Sequence, residues 1–225
     1  MQYKIIGEPT PVVQCDLNGG EALKTESGSM VWMSPNMEMS TSSGGLGKAL
    51  GRALSGEKLF QNVYTAKGGP GMVTFGSSFI GSIRALEITP NNPIVCQKRA
   101  FLASEMSVDL SVFFQKRFGA GLLGGEGFVL QKLSGNGIAF VEVDGYAVEY
   151  ELQSGQTLIV STGALAMCDA TCTIDVQSVK GAKNVLFGGE GFFNTKITGP
   201  GKVTLQTTSV QSFAMQLQPY MISAK

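Results

Sequence analysis

Hydrophobic and polar residues alternate along short stretches of this chain. Val148, Tyr150 and Leu152 are interleaved with Glu149, Glu151 and Gln153. A period of two marks a strand with one face buried. Leu86 and Ile88 repeat the alternation upstream, and Met215 and Leu217 repeat it near the end. A Met-rich version runs through Met30, Trp32, Met33, Met37 and Met39. Methionine is adaptable packing, which fits a core or an oligomer face better than a metal site. Sustained helical periodicity is scarce. The best helix candidate, 46–54, carries Gly47 and Gly51, which weaken it. Asp144-Gly145 predicts a tight hairpin between two strands. Gly69-Pro70-Gly71, Gly135-Asn136-Gly137 and Gly199-Pro200-Gly201 predict turns in conformations that glycine takes cheaply.

These turns sit at one place in a frame that occurs three times. A small residue, Gly, Glu, any residue, then Leu or Phe opens the stretches 55–75, 124–140 and 188–205. The anchors Glu57, Glu126 and Glu190 are 69 and 64 residues apart. Upstream the register continues at offsets of 71 and then 64 residues. Leu17, Ile88 and Leu152 correspond, as do Leu23, Ile94 and Leu158. So do Met30, Phe101 and Leu165, and also Met37, Val108 and Cys172. The expected units run 12–75, 83–140 and 147–205. A lone unit would leave strand edges and an apolar face open. The expectation is therefore an all-β chain, a single compact domain over 1–225, with three pseudo-repeats packed as one pseudo-threefold body. The terminal segments near 2–7 and 210–222 lie outside the repeats and are expected to pair with each other.

Composition narrows the function. At 43% hydrophobic and 15% charged, the 225 residues can fill a core and are not disordered. Low charge also points to surface covered by another subunit, so a homo-oligomer or a protein partner is expected. Basic and acidic residues balance at 17 each, without the excess of a duplex-DNA binder. The start lacks the charged and apolar regions of a signal peptide, and no apolar run spans a bilayer. A cytoplasmic location is expected. The four cysteines, Cys15, Cys96, Cys168 and Cys172, read as reduced thiols. Cys172 stands where Met37 and Val108 stand, which fits a small buried hydrophobe. No further ligands for a zinc site accompany it.

The chain has no histidine. That removes the usual nucleophile-activating base, the neutral-pH proton shuttle and the commonest metal ligand. Carboxylate-only chemistry survives in principle. No catalytic residue, metal or cofactor is assigned, and the chain is not expected to be an enzyme. Glu57, Glu126 and Glu190 are the leading site candidates. Near a shared axis they would bind a hard cation through oxygen. Away from it each would serve its own turn by accepting backbone N–H bonds. A basic cluster precedes each: Lys48 and Arg52, Lys116 and Arg117, Lys180 and Lys183. These would contact phospholipid or RNA phosphate, or stand as solvated charge that keeps edges apart. The stretch 112–123, VFFQKRFGAGLL, reads either as a membrane-interface contact or as a core strand entering a Gly-rich loop. Gly119 to Gly124 match G-x-G-x-x-G without the βαβ context that gives it meaning. Gly47-Lys48 is followed by Ala49, not by the Ser or Thr of a phosphate loop.

The triplicated Gly-Glu-x-Phe or Leu motif, followed by Gly-x-Gly and strands over nearly all 225 residues, resembles an uncharacterised family of mitochondrial-biogenesis type. Its eukaryotic branch is named for altered inheritance of mitochondria. The resemblance implies a fold like that of the tryptophan RNA-binding attenuation protein, a short double-stranded β-helix, here three times in one chain. It implies no established activity and no cofactor. The expected role is a non-enzymatic structural or interaction protein, with peripheral contact to a membrane or membrane complex as one version. The alternative is a small-ligand or RNA-binding module, by analogy with the attenuation protein.

Overall fold

The alternating stretches become strands, and the glycine triplets become the corners between them. The computed structural model describes residues 1–26, 28–42, 61–116, 128–178, 193–217 and 220. β1 (Gln2–Ile6) leads into a first set of six strands. These are β2 (Val12–Leu17), β3 (Ala22–Glu26), β4 (Met30–Met33), β5 (Met37–Ser42), β6 (Gln61–Ala66) and β7 (Gly71–Gly76). The second set is β8 (Gly81–Ile88), β9 (Ile94–Gln97), β10 (Phe101–Glu105), β11 (Val108–Lys116), β12 (Phe128–Gly135) and β13 (Gly137–Asp144). The third is β14 (Ala147–Leu152), β15 (Thr157–Ser161), β16 (Leu165–Asp169), β17 (Thr173–Ser178), β18 (Phe193–Thr198) and β19 (Gly201–Gln206). Among the described residues one α-helix, α1 (Val210–Leu217), follows. The protein is nearly all-β, in several antiparallel sheets.

Pairing follows one order in all three sets. β2–β7–β4, β8–β13–β10 and β14–β19–β16 each place the first strand beside the sixth and the sixth beside the third. β5–β6–β3, β11–β12–β9 and β17–β18–β15 place the fourth beside the fifth and the fifth beside the second. Two joints link the sets. β3 pairs with β10 through Lys24↔Ser104 and Leu23↔Glu105. β9 pairs with β16 through Cys96↔Met167, Val95↔Cys168 and Ile94↔Asp169.

A side-chain oxygen fastens each corner. Met72 N–H donates to Ser34 Oγ at 2.9 Å, Ile138 N–H to Glu105 Oε2 at 2.8 Å and Lys202 N–H to Asp169 Oδ2 at 2.7 Å. Each donor is the residue after the glycine that opens β7, β13 or β19. The bond satisfies a backbone group where the chain changes sheets.

The cores interlock across the joints. Leu102, Ala103 and Phe140 of the second set pack with Leu23, Val73 and Phe75 of the first. Met167 of the third packs with Phe101 and Leu133 of the second. Val95 and Leu130 of the second join Leu165, Ile197 and Val203 of the third. Burying each such leucine or phenylalanine contributes about 1.5–3 kcal/mol.

Three expectations are corrected. The terminal segments do not pair: β1 pairs with β2, and 210–217 is helix. Asp144-Gly145 is not a hairpin. Gly145 takes a positive φ of 67°, yet β13 and β14 belong to different sheets. The N–H of Gly145 donates to Ile80 O at 2.8 Å, which turns the chain away from β13. The Met-rich stretch is two strands rather than one, with Met37 buried while Trp32, Met33 and Met39 are exposed. The helix candidate 46–54 lies outside the described residues.

Candidate functional site

β13 lies between β8 and β10, so both of its edges are paired, and from Ala139 onward its residues are buried on both faces. Its sequence nevertheless ends Val141-Glu142-Val143-Asp144. Two carboxylates are thereby carried into the interior, at 6% and 8% exposure. A buried carboxylate needs donors. Glu142 has three: Ser77 Oγ at 2.9 Å and Ser78 N–H at 2.6 Å reach Oε2, and Ser78 Oγ reaches Oε1 at 2.7 Å. Asp144 Oδ2 accepts the Val210 N–H at 2.9 Å, in the first turn of α1. The Asp144 N–H donates to Gln206 Oε1 at 3.1 Å, and Gln206 Nε2 donates to Gly163 O at 2.8 Å.

These groups face an open cavity of about 510 Å³ whose wall draws on all three sets. Ser29 and Ser78 come from the first set or its exit, Arg99 and Glu142 from the second, Gln206 and Ser209 from the end of the third or just beyond it. Gly76, Glu142 and Gln206 are each five residues past the glycine that opens β7, β13 or β19, and all three line the cavity. Burial raises the Asp144 carboxyl above its ordinary value, and the charge of Glu142 adds to this. The Val210 N–H and the Arg99 guanidinium pull it back down. Lys98 and Arg99 beside two carboxylates make the opening amphoteric, suited to a small zwitterion or anion.

The cysteines contribute no reactive thiol. All four are buried and none is in a disulfide. Burial, with the charges of Asp16 and Glu105, pushes Cys15 up to about 12, and burial raises Cys168 and Cys172 as well. The thiolate is the nucleophile, so these groups are inert at neutral pH. Among the described residues no three of His, Cys, Asp and Glu gather as a metal cluster.

The residues singled out by sequence lie elsewhere. Glu57, Glu126, Glu190, Lys48, Arg52, Arg117, Lys180 and Lys183 are outside the described residues, as are Gly119 to Gly124 and Gly47-Lys48. Lys116 closes β11, its backbone opposite Phe128. The three segments that hold the candidates leave and return across paired positions, Ser42↔Gln61, Lys116↔Phe128 and Ser178↔Phe193. Phe113 is exposed, and Phe114 is half-buried with its ring 6.3 Å from that of Phe128. Sequence reasoning passed over Glu142 and used Asp144 only as a turn residue. The signal was there: two acids in an otherwise apolar strand.

The family model described as mitochondrial biogenesis AIM24 matches residues 3–208, which takes in all three sets of strands. The chain belongs to this family. The resemblance drawn from the Gly-Glu motif is therefore correct at the level of the family. An uncharacterized protein of Streptococcus pyogenes serotype M6 is 26% identical to this AIM24-family chain over 220 residues, covering 94% of this chain and 87% of its own length. The crystal structure of protein SPYM3_0169 from S. pyogenes superposes with a TM-score of 0.80 at 24% identity, covering 98% of this chain and 99% of its own. The AIM24-family chain thus shares that fold. Among its described residues no helix is long and apolar enough to cross a membrane.

Proposed function

We propose that this AIM24-family protein works by binding other macromolecules rather than by catalysis, as an interaction body of three like lobes. Each lobe is a short double-stranded β-helix unit of the kind expected from the resemblance to the attenuation protein. The shared pairing order and the three fastening oxygens support that reading of the lobes. The observation that carries the function is the apolar surface on edge strands. Tyr3, Ile5 and Ile6 on β1, and Val31, Trp32 and Met33 on β4, are each at least 36% exposed. Single exposed apolar residues are ordinary, whereas runs of them on sheet edges mark surfaces that bind. A cytoplasmic home goes with this reading.

Native mass spectrometry of protein purified gently from its own host tests it. The expected species is a discrete multiple of the chain, or the chain with a protein partner. A bare single chain at every concentration sinks the reading. The cavity favours a second reading, a small polar ligand held by Arg99 and the rim of Glu142 and Asp144. A constant extra mass on each chain supports that reading. Thermal shifts against amino acids and nucleotides would identify the class, since a ligand of the native state must stabilise it.

A further inference from the structure

The two joints inside the chain are built alike. In each, the second strand of one set pairs with the third strand of the next: β3 with β10, and β9 with β16. The third strand of the first set, β4, and the second strand of the third set, β15, are left over. Each is the edge of its sheet among the described residues. The chain therefore ends in the two complementary halves of a joint that it makes twice.

Burial shows the same thing residue by residue. Leu102 and Ala166 are 3% and 1% exposed at the joints, and their counterpart Val31 on β4 is 53% exposed. Ala103 and Met167 are 0% and 7% exposed, against 45% for Trp32. On the other edge, Val95 and Lys24 are 1% and 6% exposed, against 64% for Ile159 on β15. Apolar residues thus stand in water at the two ends, where matching positions are covered inside.

We propose that β15 of one copy pairs antiparallel with β4 of a second copy, continuing the internal joint from chain to chain. The proposal deepens the interaction reading by naming the partner as this chain itself. Both joints predict one register. Shifting Ser104↔Lys24 by the repeat offsets of 71 and 71 + 64 gives Met33↔Ile159. Shifting Cys168↔Val95 by 64 + 71 and 64 gives the same pair. The contact is heterologous, so copies join head to tail, and the assembly is a ring or an open array. Pairing covers backbone groups and apolar side chains that an exposed edge leaves to aggregation.

Two single-cysteine variants test it, Met33→Cys and Ile159→Cys. Facing residues of an antiparallel pair have Cα atoms about 4.5–5.5 Å apart, within disulfide reach. The four native cysteines are buried and stay silent. Mixed and oxidised, the two full-length variants are expected to give a covalent dimer on a non-reducing gel, and each alone should give little. The chain carrying both changes should give a ladder. An internally linked single chain from the double variant, or no dimer from the mixture, overturns the proposal. Trp32→Asp supplies an independent reading that adds no cysteine, because its counterparts Ala103 and Met167 are buried and apolar at both internal joints. It should reduce the wild-type assembly to the mass of one chain with an unchanged circular-dichroism spectrum, and an unchanged assembly overturns the proposal. A protein partner in the native spectrum without the Met33–Ile159 cross-link would leave the interaction reading standing and this proposal fallen.

Discussion

Asp144 is an acid held where little water reaches, and burial raises its carboxyl above 3.8, the ordinary value. The folded chain therefore holds that proton more tightly than the unfolded chain does. The stability this contributes is fully present below the ordinary value and is lost as pH rises through the raised one. Asp144→Asn keeps an oxygen to accept the Val210 N–H and never ionises. Its urea midpoint is expected to gain on the wild type as pH climbs from below 4 to 7, and a gap constant across that range would refute the argument. Glu142 is a different case, because three donors converge on it. Glu142→Ala strands the Ser77 and Ser78 donors in a partly buried place and should cost about 2–4 kcal/mol in urea unfolding. Glu142→Gln retains one accepting oxygen and should cost less. The two acids stand out in the sequence of their strand, but their partners do not. Their function as buried acceptors depends on Ser77, Ser78 and Val210, which lie 65, 64 and 66 residues away from their acceptors.

At the scale of elements, strands were legible wherever one face meets the core. The alternation at 148–153 is β14, and Leu86 and Ile88 end β8. Alternation in sequence did not always become alternation in burial: Tyr150 on the edge strand β14 is 46% exposed because an edge has fewer neighbours. The glycine triplets were right as corners, with Gly135 at φ 101° and Gly201 at φ 143°. α1 was misread. Met215 and Leu217 alternate, but Val210, Phe213 and Leu217 are also spaced three and four apart, the helical period. Ser209 Oγ accepts the Ser212 N–H at 3.1 Å, a helix cap visible in the sequence as a serine just before the run. Phe213 packs its ring 5.4 Å from that of Phe79, a contact that no local pattern reveals.

For the molecule as a whole, the joints matter more than the units. Because Leu102 and Phe140 complete the first core, and Val95 and Leu130 the third, no set of strands closes its core alone. Unfolding should then be one transition. Trp32, the single tryptophan, reports on the first set, and far-ultraviolet circular dichroism reports on every strand. At a fixed protein concentration the two urea midpoints are expected to coincide, and separate midpoints would mean that the sets melt independently. Sequence could not show which strands meet across sets, since Lys24 and Ser104 are far apart along the chain and neither carries a pairing signal. The cavity wall adds a consequence for synthesis. A ribosome makes Ser29, Ser78, Arg99 and Glu142 well before Gln206, Ser209 and Val210. A nascent chain halted before Gln206 can already seat Glu142 on its serines, but it leaves Asp144 without the Val210 donor and leaves the cavity unwalled. The pocket is walled only once the chain has been made through Val210, so anything that recognises it distinguishes such a polypeptide from one cut short before Gln206.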